Sequence, residues 1–294
     1  TGVQFGGYNL SDDFRSLSIK NLKFPTDVGP IYIKEIKSRD IEGPFYNQNT
    51  YKITYEVFGL RHDIDPEHSP LWLVEVAEST GAKMLQGDIV ITFDYDFRTS
   101  DLKLSAILNL KEGGEFELDA ELLNLSLNNL IPVQNFVEGA TKAGRNIADS
   151  LEFSASVKHI KLTFEEKGIK EKYVSYIANS EGQKKATVRR SLPEKVAQKI
   201  KAVFPSTGNE AVDKEISNAI IEFKKLIKRG GILTASIVPE EPVSIQEISE
   251  MLVDRDFEFL DLKIKHKKII GAEELIFKGK MSSSNDEGGE NLLA

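Results

Sequence analysis

The sequence predicts an α+β protein: long, bent antiparallel strands forming one or two curved sheets, with helices from the second half packed on them. Three observations predict it. Residues alternate apolar and polar with a period of two from Asp88 to Leu122, in three runs joined by short turns. Apolar residues recur at helical spacing only later in the chain, most clearly over Glu210–Lys228. The strand phase slips at Leu122–Leu127 and again near His159, as an inserted residue that bends a strand would make it do.

The alternating runs come first because the rest must pack against them. Ile89, Ile91, Phe93, Tyr95 and Phe97 share one face, opposite Asp88, Val90, Thr92, Asp94 and Asp96. Leu102, Leu104, Ala106, Leu108 and Leu110 follow, then Phe116, Leu118, Ala120 and Leu122. The turns at Arg98–Asp101 and Lys111–Gly114 are short enough to make neighbours antiparallel. One polar face means a sheet buried on one side, so other segments must cover the apolar side.

Upstream, Thr1–Arg15 carries no regular pattern. Leu17–Phe24 reads as a strand, Ile31–Ile36 as a short one, and Tyr51–Leu60 as a firmer one. Pro44 keeps Ile41–Phe45 from being a central strand, and Asp63–Pro70 is a loop. Leu71–Ser79 fits a short helix or a strand. Downstream, Pro132 opens a helix carrying Phe136, Val137, Ala140, Ala143 and Ile147. Leu151, Phe153, Ala155 and Val157 begin a strand, which Ile160, Leu162 and Phe164 continue on a shifted phase. Helices are expected at Ile169–Ile177, from Ser191 with Pro193 in its first turn, and at Glu210–Lys228. Ile232–Val238 is a strand that Pro239 and Pro242 limit to an edge or an end. Ser244 and Glu247 have the spacing of a capping box. A last strand covers Phe257–Lys265. Residues 1–130 thus form a mainly β region, 131–280 a mixed region on or extending the same sheet, and 281–294 a disordered tail.

A formal net charge of −8 leaves no basic surplus for general nucleic-acid binding. Lys184, Lys185, Arg189 and Arg190 read as a solvated loop and helix start. Absence of cysteine removes disulfides, thiolate nucleophiles and thiolate metal ligands. No segment is apolar for long enough to cross a membrane. Thr1 in place of methionine at the start leaves three readings open: a cleaved signal peptide, a removed membrane anchor, or a boundary set by where the piece was cut.

Chemical motifs are sparse. Asp88, Asp94 and Asp96 share a face, but a flat strand supplies too few oxygens for calcium, so they read as a solvated face. His62 and His68 fall near Asp63, Asp65 and Glu67, which reads as an ordinary surface loop before it reads as zinc ligation. His159 reads as structural or exposed and His266 as solvated. No serine elbow or phosphate loop is present, and no catalytic residue, metal ligand or cofactor is assigned. The positive candidate is an apolar wall for a hydrophobic ligand, formed by Ile91, Phe93, Leu104, Leu108, Phe116 and Leu118 with Ile89, Ala106 and Ala120. The plainer reading makes the same residues core beneath the helices.

The runs Gly87–Leu110 and Glu210–Lys228, with Gly231–Ile232–Leu233–Thr234 leading through Pro239–Glu240–Glu241–Pro242–Val243–Ser244 to Leu252, resemble a family of uncharacterised exported proteins of Gram-negative alphaproteobacteria. The β-rich plan looks, more distantly, like the elongated curved-sheet envelope families associated with lipid transport. The resemblance implies a periplasmic protein, anchored to the inner membrane by a removed N-terminal segment. It carries no residue roles. The expected function is therefore a non-enzymatic envelope protein binding an apolar ligand or lipid. The alternatives are an assembly module binding an envelope protein partner, and a hydrolase in which His62, His68 or a carboxylate pair converges in a cleft.

Overall fold

The computed structural model describes residues 3–12, 15–26, 29–42, 49–65, 83–111, 113–125, 155–206, 208–254 and 261–269, with isolated positions between 74 and 81. The expected helix after Pro132, the segments at 66–73 and 255–260, and the C-terminal tail lie outside the described residues.

Among the described residues the chain is strand-rich. A single open antiparallel sheet of 11 strands replaces the alternative of two sheets. Its strands are β1 (Gly7–Leu10), β2 (Leu17–Phe24), β3 (Ile31–Glu42), β4 (Thr50–Asp63), β5 (Met84–Asp96), β6 (Asp101–Leu110), β7 (Gly114–Leu123), β8 (Ser156–Glu166), β9 (Gly231–Ile237), β10 (Val243–Ser244) and β11 (Lys263–Lys267). The order is sequential from β1 to β9, then β11, with β10 added beside β8. Four helices fall late in the chain: α1 (Ile169–Ser180), α2 (Lys185–Val203), α3 (Glu210–Arg229) and α4 (Ile245–Asp254).

The alternating runs pair as their turns require. Ile91 lies opposite Ala106, and Ala106 opposite Leu118, so the three share one face. The polar face is organised too. Lys52, Asp94, Lys103 and Glu121 succeed one another in register, so opposite charges stand side by side across four strands. On that face Thr54 and Thr92 hydroxyls meet at 3.1 Å.

Strands β2 to β4 run longer than their simple alternation, because they are re-phased midway. Leu17 and Ile19 face with Ile36, but beyond Asn21 the apolar members become Leu22 and Phe24, paired with Ile33 and Ile31. Asn21 takes a left-handed φ of 54°, and Gly59 of β4 one of 62°. The pairing of β4 with β5 shifts by one residue between Val57 and Leu60. Each re-phasing returns apolar side chains to the same face after the bend. Gly59 is glycine because a Cβ there would meet the Lys34 Cβ at 2.8 Å, besides the cost of its φ. The second phase slip has the same origin. Glu121 pairs with His159 but Leu122 with Val157, leaving one extra residue in β8. Over 122–125, the described part of the first slip, β7 holds no extra residue. Asn124 turns with φ 57°, and Leu125 drops into a buried cluster with Tyr95 and Ala155, its carbonyl accepting from the Tyr95 hydroxyl at 2.8 Å.

The helical layer covers one end of the sheet. α3 packs on β9 and β11, and α2 ties it to α1. Val212 of α3 and Ile248 of α4 close over Val157, with Leu122, Ile160 and Ile237 beside them. Val174, Ile177 and Ala178 of α1 enclose Val188 and Leu192 of α2. The expected start of α2 at Ser191 is corrected by this contact. The helix begins at Lys185, and Pro193 lies inside it, fully buried. Burial of Val188, Leu192 and Pro193 offsets the backbone bond that proline removes. Arg189 is an α2 residue bound to Glu171 of α1, its Nη2 2.6 Å from Oε2, and holds that carboxyl below the usual glutamate range. Ser244 and Glu247 form the capping box, with Ser244 N donating to Glu247 Oε2 at 2.9 Å and Glu247 N to Ser244 Oγ at 3.1 Å. Strand β9 is flanked by β8 and β11, so it is not an edge. Its prolines fall past its end, where no ladder donor is missed.

Candidate functional site

The apolar face of β5–β7 is built by three adjacent rows of directly paired residues. One runs Val57, Ile89, Leu108, Phe116, Phe164 and Leu233. The next runs Tyr55, Ile91, Ala106, Leu118, Leu162 and Ala235, and the third Ile53, Phe93, Leu104, Ala120, Ile160 and Ile237. Ile91, Phe93, Leu104, Leu108, Phe116 and Leu118 therefore meet on one surface, two from each row. Aromatic rings lie at both flanks. Phe116 and Phe164 are 4.7 Å apart between centroids, and Tyr55 meets Phe93 edge-on at 6.2 Å.

The six differ from the core in their burial. Each is half-buried, whereas Val157, Val174, Val188 and Val212 are sealed. Leu162, next to Leu118 in the same row, is 45% exposed. None of the six belongs to the clusters that the helices close, among the described residues. Among the described residues, the helices cover this face at the β8–β11 end, Leu125 and Ala155 pack on Tyr95, and no helix closes over the six. The reason is connectivity. Helices α1 to α3 follow β8 through short links and lead straight into β9, and α4 joins directly to β10, so they settle over the strands they join.

The polar candidates separate. Asp96 is held by Arg98, whose Nη2 lies 3.0 Å from Oδ2, and Arg98 keeps that carboxyl below the usual aspartate range. Asp88 accepts the Gly59 N–H at 2.7 Å. His62 is not a loop residue. It sits in β4 between Ile31 and Leu85, 7% exposed, with Nδ1 unbonded. The Gly59 bulge carries the strand on past Leu60 and turns His62 inward. His68 and Glu67 lie outside the described residues. His159 Nδ1 is 3.6 Å from Glu121 Oε2. His266 is not solvated, because pairing with Leu233 draws it in. Its Nε2 is 2.7 Å from the Gly230 carbonyl, and its backbone N–H donates to Glu222 Oε2 at 2.9 Å.

No described histidine is hydrogen-bonded to a serine or threonine hydroxyl, and no three described His, Asp or Glu side chains are grouped to hold a metal ion. A surface groove of about 650 Å³ along α1 is mixed in character, with Tyr176 donating to Glu78 at 2.8 Å. No helix among the described residues is long and apolar enough to cross a membrane.

Among the described residues, fold and face together define a class: an open antiparallel sheet whose helices cover one end and leave a half-buried apolar surface beside them. A family model described as "Uncharacterized protein" matches residues 107–267, more than half of the 294, and the chain belongs to that family. The match runs from within β6 to the end of β11 and takes in all four helices. No curated protein matches the chain.

Proposed function

We propose that this chain is a non-enzymatic cell-envelope protein that binds an apolar ligand, a lipid acyl chain, across the β5–β7 face. The observation that carries the reading is the half-burial of Ile91, Phe93, Leu104, Leu108, Phe116 and Leu118 in three contiguous rows. Apolar surface left in water costs about 25 cal/mol per Å², so an acyl chain laid across these rows gains what the helices do not supply. The lining of aliphatic side chains flanked by aromatic rings suits a flexible hydrocarbon, and it offers no charge to orient a polar substrate. A periplasmic location, with an N-terminal anchor to the inner membrane, rests on the resemblance to exported proteins.

Native mass measurement on protein purified from its source, followed by organic extraction, tests the reading. We expect a mass excess over the chain and a lipid in the extract. An unliganded mass together with no saturable binding of oleate would refute it.

A second reading, docking of an envelope protein partner, is favoured by the β1 edge. β1 pairs with β2 alone among the described strands, and Phe5 just before it and Tyr8 within it are 60% and 74% exposed. A partner strand added there would satisfy the open backbone edge and cover those rings. In that case the extract holds no lipid and the native mass shows a bound protein.

A further inference from the structure

On the opposite side of the sheet, the line of bends in β2–β4 creates a crevice of about 540 Å³. Lys23, Tyr32 and Arg61 are directly paired across β2, β3 and β4, in register with Gln86 and so on the face away from the apolar rows. The Lys23 ammonium lies 5.6 Å from the Tyr32 ring centroid and the Arg61 guanidinium 5.9 Å from the same ring. Lys34 lines the crevice beside Gly59, and Phe5 closes the β1 side. The Asn21 amide, presented by its left-handed backbone, stands against Gly6.

The charges do not balance within the crevice. Arg61 is answered by Asp63, at 2.9 Å from Nη2 to Oδ1, and Asp88 is held on the Gly59 N–H nearby. Neither Lys23 nor Lys34 has a carboxylate partner among the described residues, and no lining residue is acidic. This is a local cationic concavity in a chain of net charge −8. Like charges gathered around one ring repel, and an anion entering between them relieves that repulsion while keeping the cation–ring contacts. Asp63 takes the Arg61 Nε and Nη2 donors, so two ammonium groups together with Arg61 Nη1 are left to match an oxyanion of several acceptor oxygens.

We propose that this crevice binds a phosphate ester, the oxyanion held by Lys23, Lys34 and Arg61 and the esterified organic group lying against Phe5 and Tyr32. The proposal is independent of the apolar face, which lies across the sheet. A phosphate ester reaches the crevice either as a lipid headgroup or as a free soluble ester.

The test uses the full chain labelled with ¹⁵N. It is titrated with glycerol 3-phosphate, and separately mixed with phosphatidylglycerol vesicles, phosphatidylcholine vesicles serving as the comparison. Saturable shifts are expected at the amides of Gly6, Lys23, Tyr32 and Lys34, or selective binding to the phosphatidylglycerol vesicles. The double variant Lys23→Gln, Lys34→Gln should keep the dispersed spectrum and bind at least about tenfold more weakly. Response to glycerol 3-phosphate identifies the free ester as sufficient, and response to vesicles alone identifies a lipid headgroup. No response to either probe, shifts scattered over unrelated lysines, or unchanged affinity in the double variant would overturn the proposal.

Discussion

Val188→Asp will cost about 4 kcal/mol or more and part α2 from α1. Val188 is 0% exposed, enclosed by Val174, Ile177, Ala178 and Leu192 from α1 and α2. None of these neighbours offers a hydrogen-bond donor from its side chain, so an aspartate there stays unpaired or takes up a proton. Either outcome removes much of a typical domain stability of roughly 5–15 kcal/mol. The milder Val188→Ala removes two methyl groups and should cost about 2 kcal/mol. Urea denaturation followed by far-UV circular dichroism reads both. Loss of helical signal at lower urea than strand signal would place the failure in α1–α2. A Val188→Asp protein as stable as the parent would show that this residue is not packed as described.

Gly231→Val is expected to cost about 3 kcal/mol, with the damage centred on β11. Gly231 has φ 108°, a region that L side chains rarely enter. A Cβ built on it would stand 2.4 Å from the Lys267 carbonyl oxygen, and that atom belongs to a paired backbone which cannot swing aside. Strained backbone and overpacking each contribute roughly 1–3 kcal/mol. β11 would separate from β9, and His266 would lose its contacts with Gly230 and Glu222. Hydrogen exchange should therefore accelerate first at residues 263–267. A change below about 0.5 kcal/mol, or exchange that accelerates elsewhere, would contradict the argument.

How much of this was legible in the residues follows from what periodicity encodes. The faces of β5, β6 and β7 are written directly in the alternation from Asp88 to Leu122, and the short turns dictate their pairing. The extra residue near His159 shows as a slip in phase. The same signal is present in Leu17–Ile19 against Leu22–Phe24, yet only pairing shows that Asn21 and Gly59 form one line of bends across neighbouring strands. β1 escaped because an exposed edge strand has no buried side to create alternation. The start of α2 escaped because Lys185–Arg190 is polar apart from an exposed Ala186 and Val188, and one packed valine carries no period. His62 and His266 were misplaced because both depend on contacts with distant segments.

For the candidate surface, the sequence identifies which residues share a side but not how far the helices reach along it. Ile160 and Leu162 are two apart on one strand and both apolar, yet one packs beneath the helices and the other is exposed. That difference is set by where α3 comes to rest, and no local pattern records it.

The absence of cysteine makes the most direct measurement clean. A single Leu118→Cys substitution, labelled with a nitroxide, reports on the centre of the apolar rows. The proposed role predicts a label open to a water-soluble relaxation agent in delipidated protein, which becomes shielded and slowed when oleate is added. A label already inaccessible without lipid, or one whose spectrum oleate leaves unchanged, would contradict it.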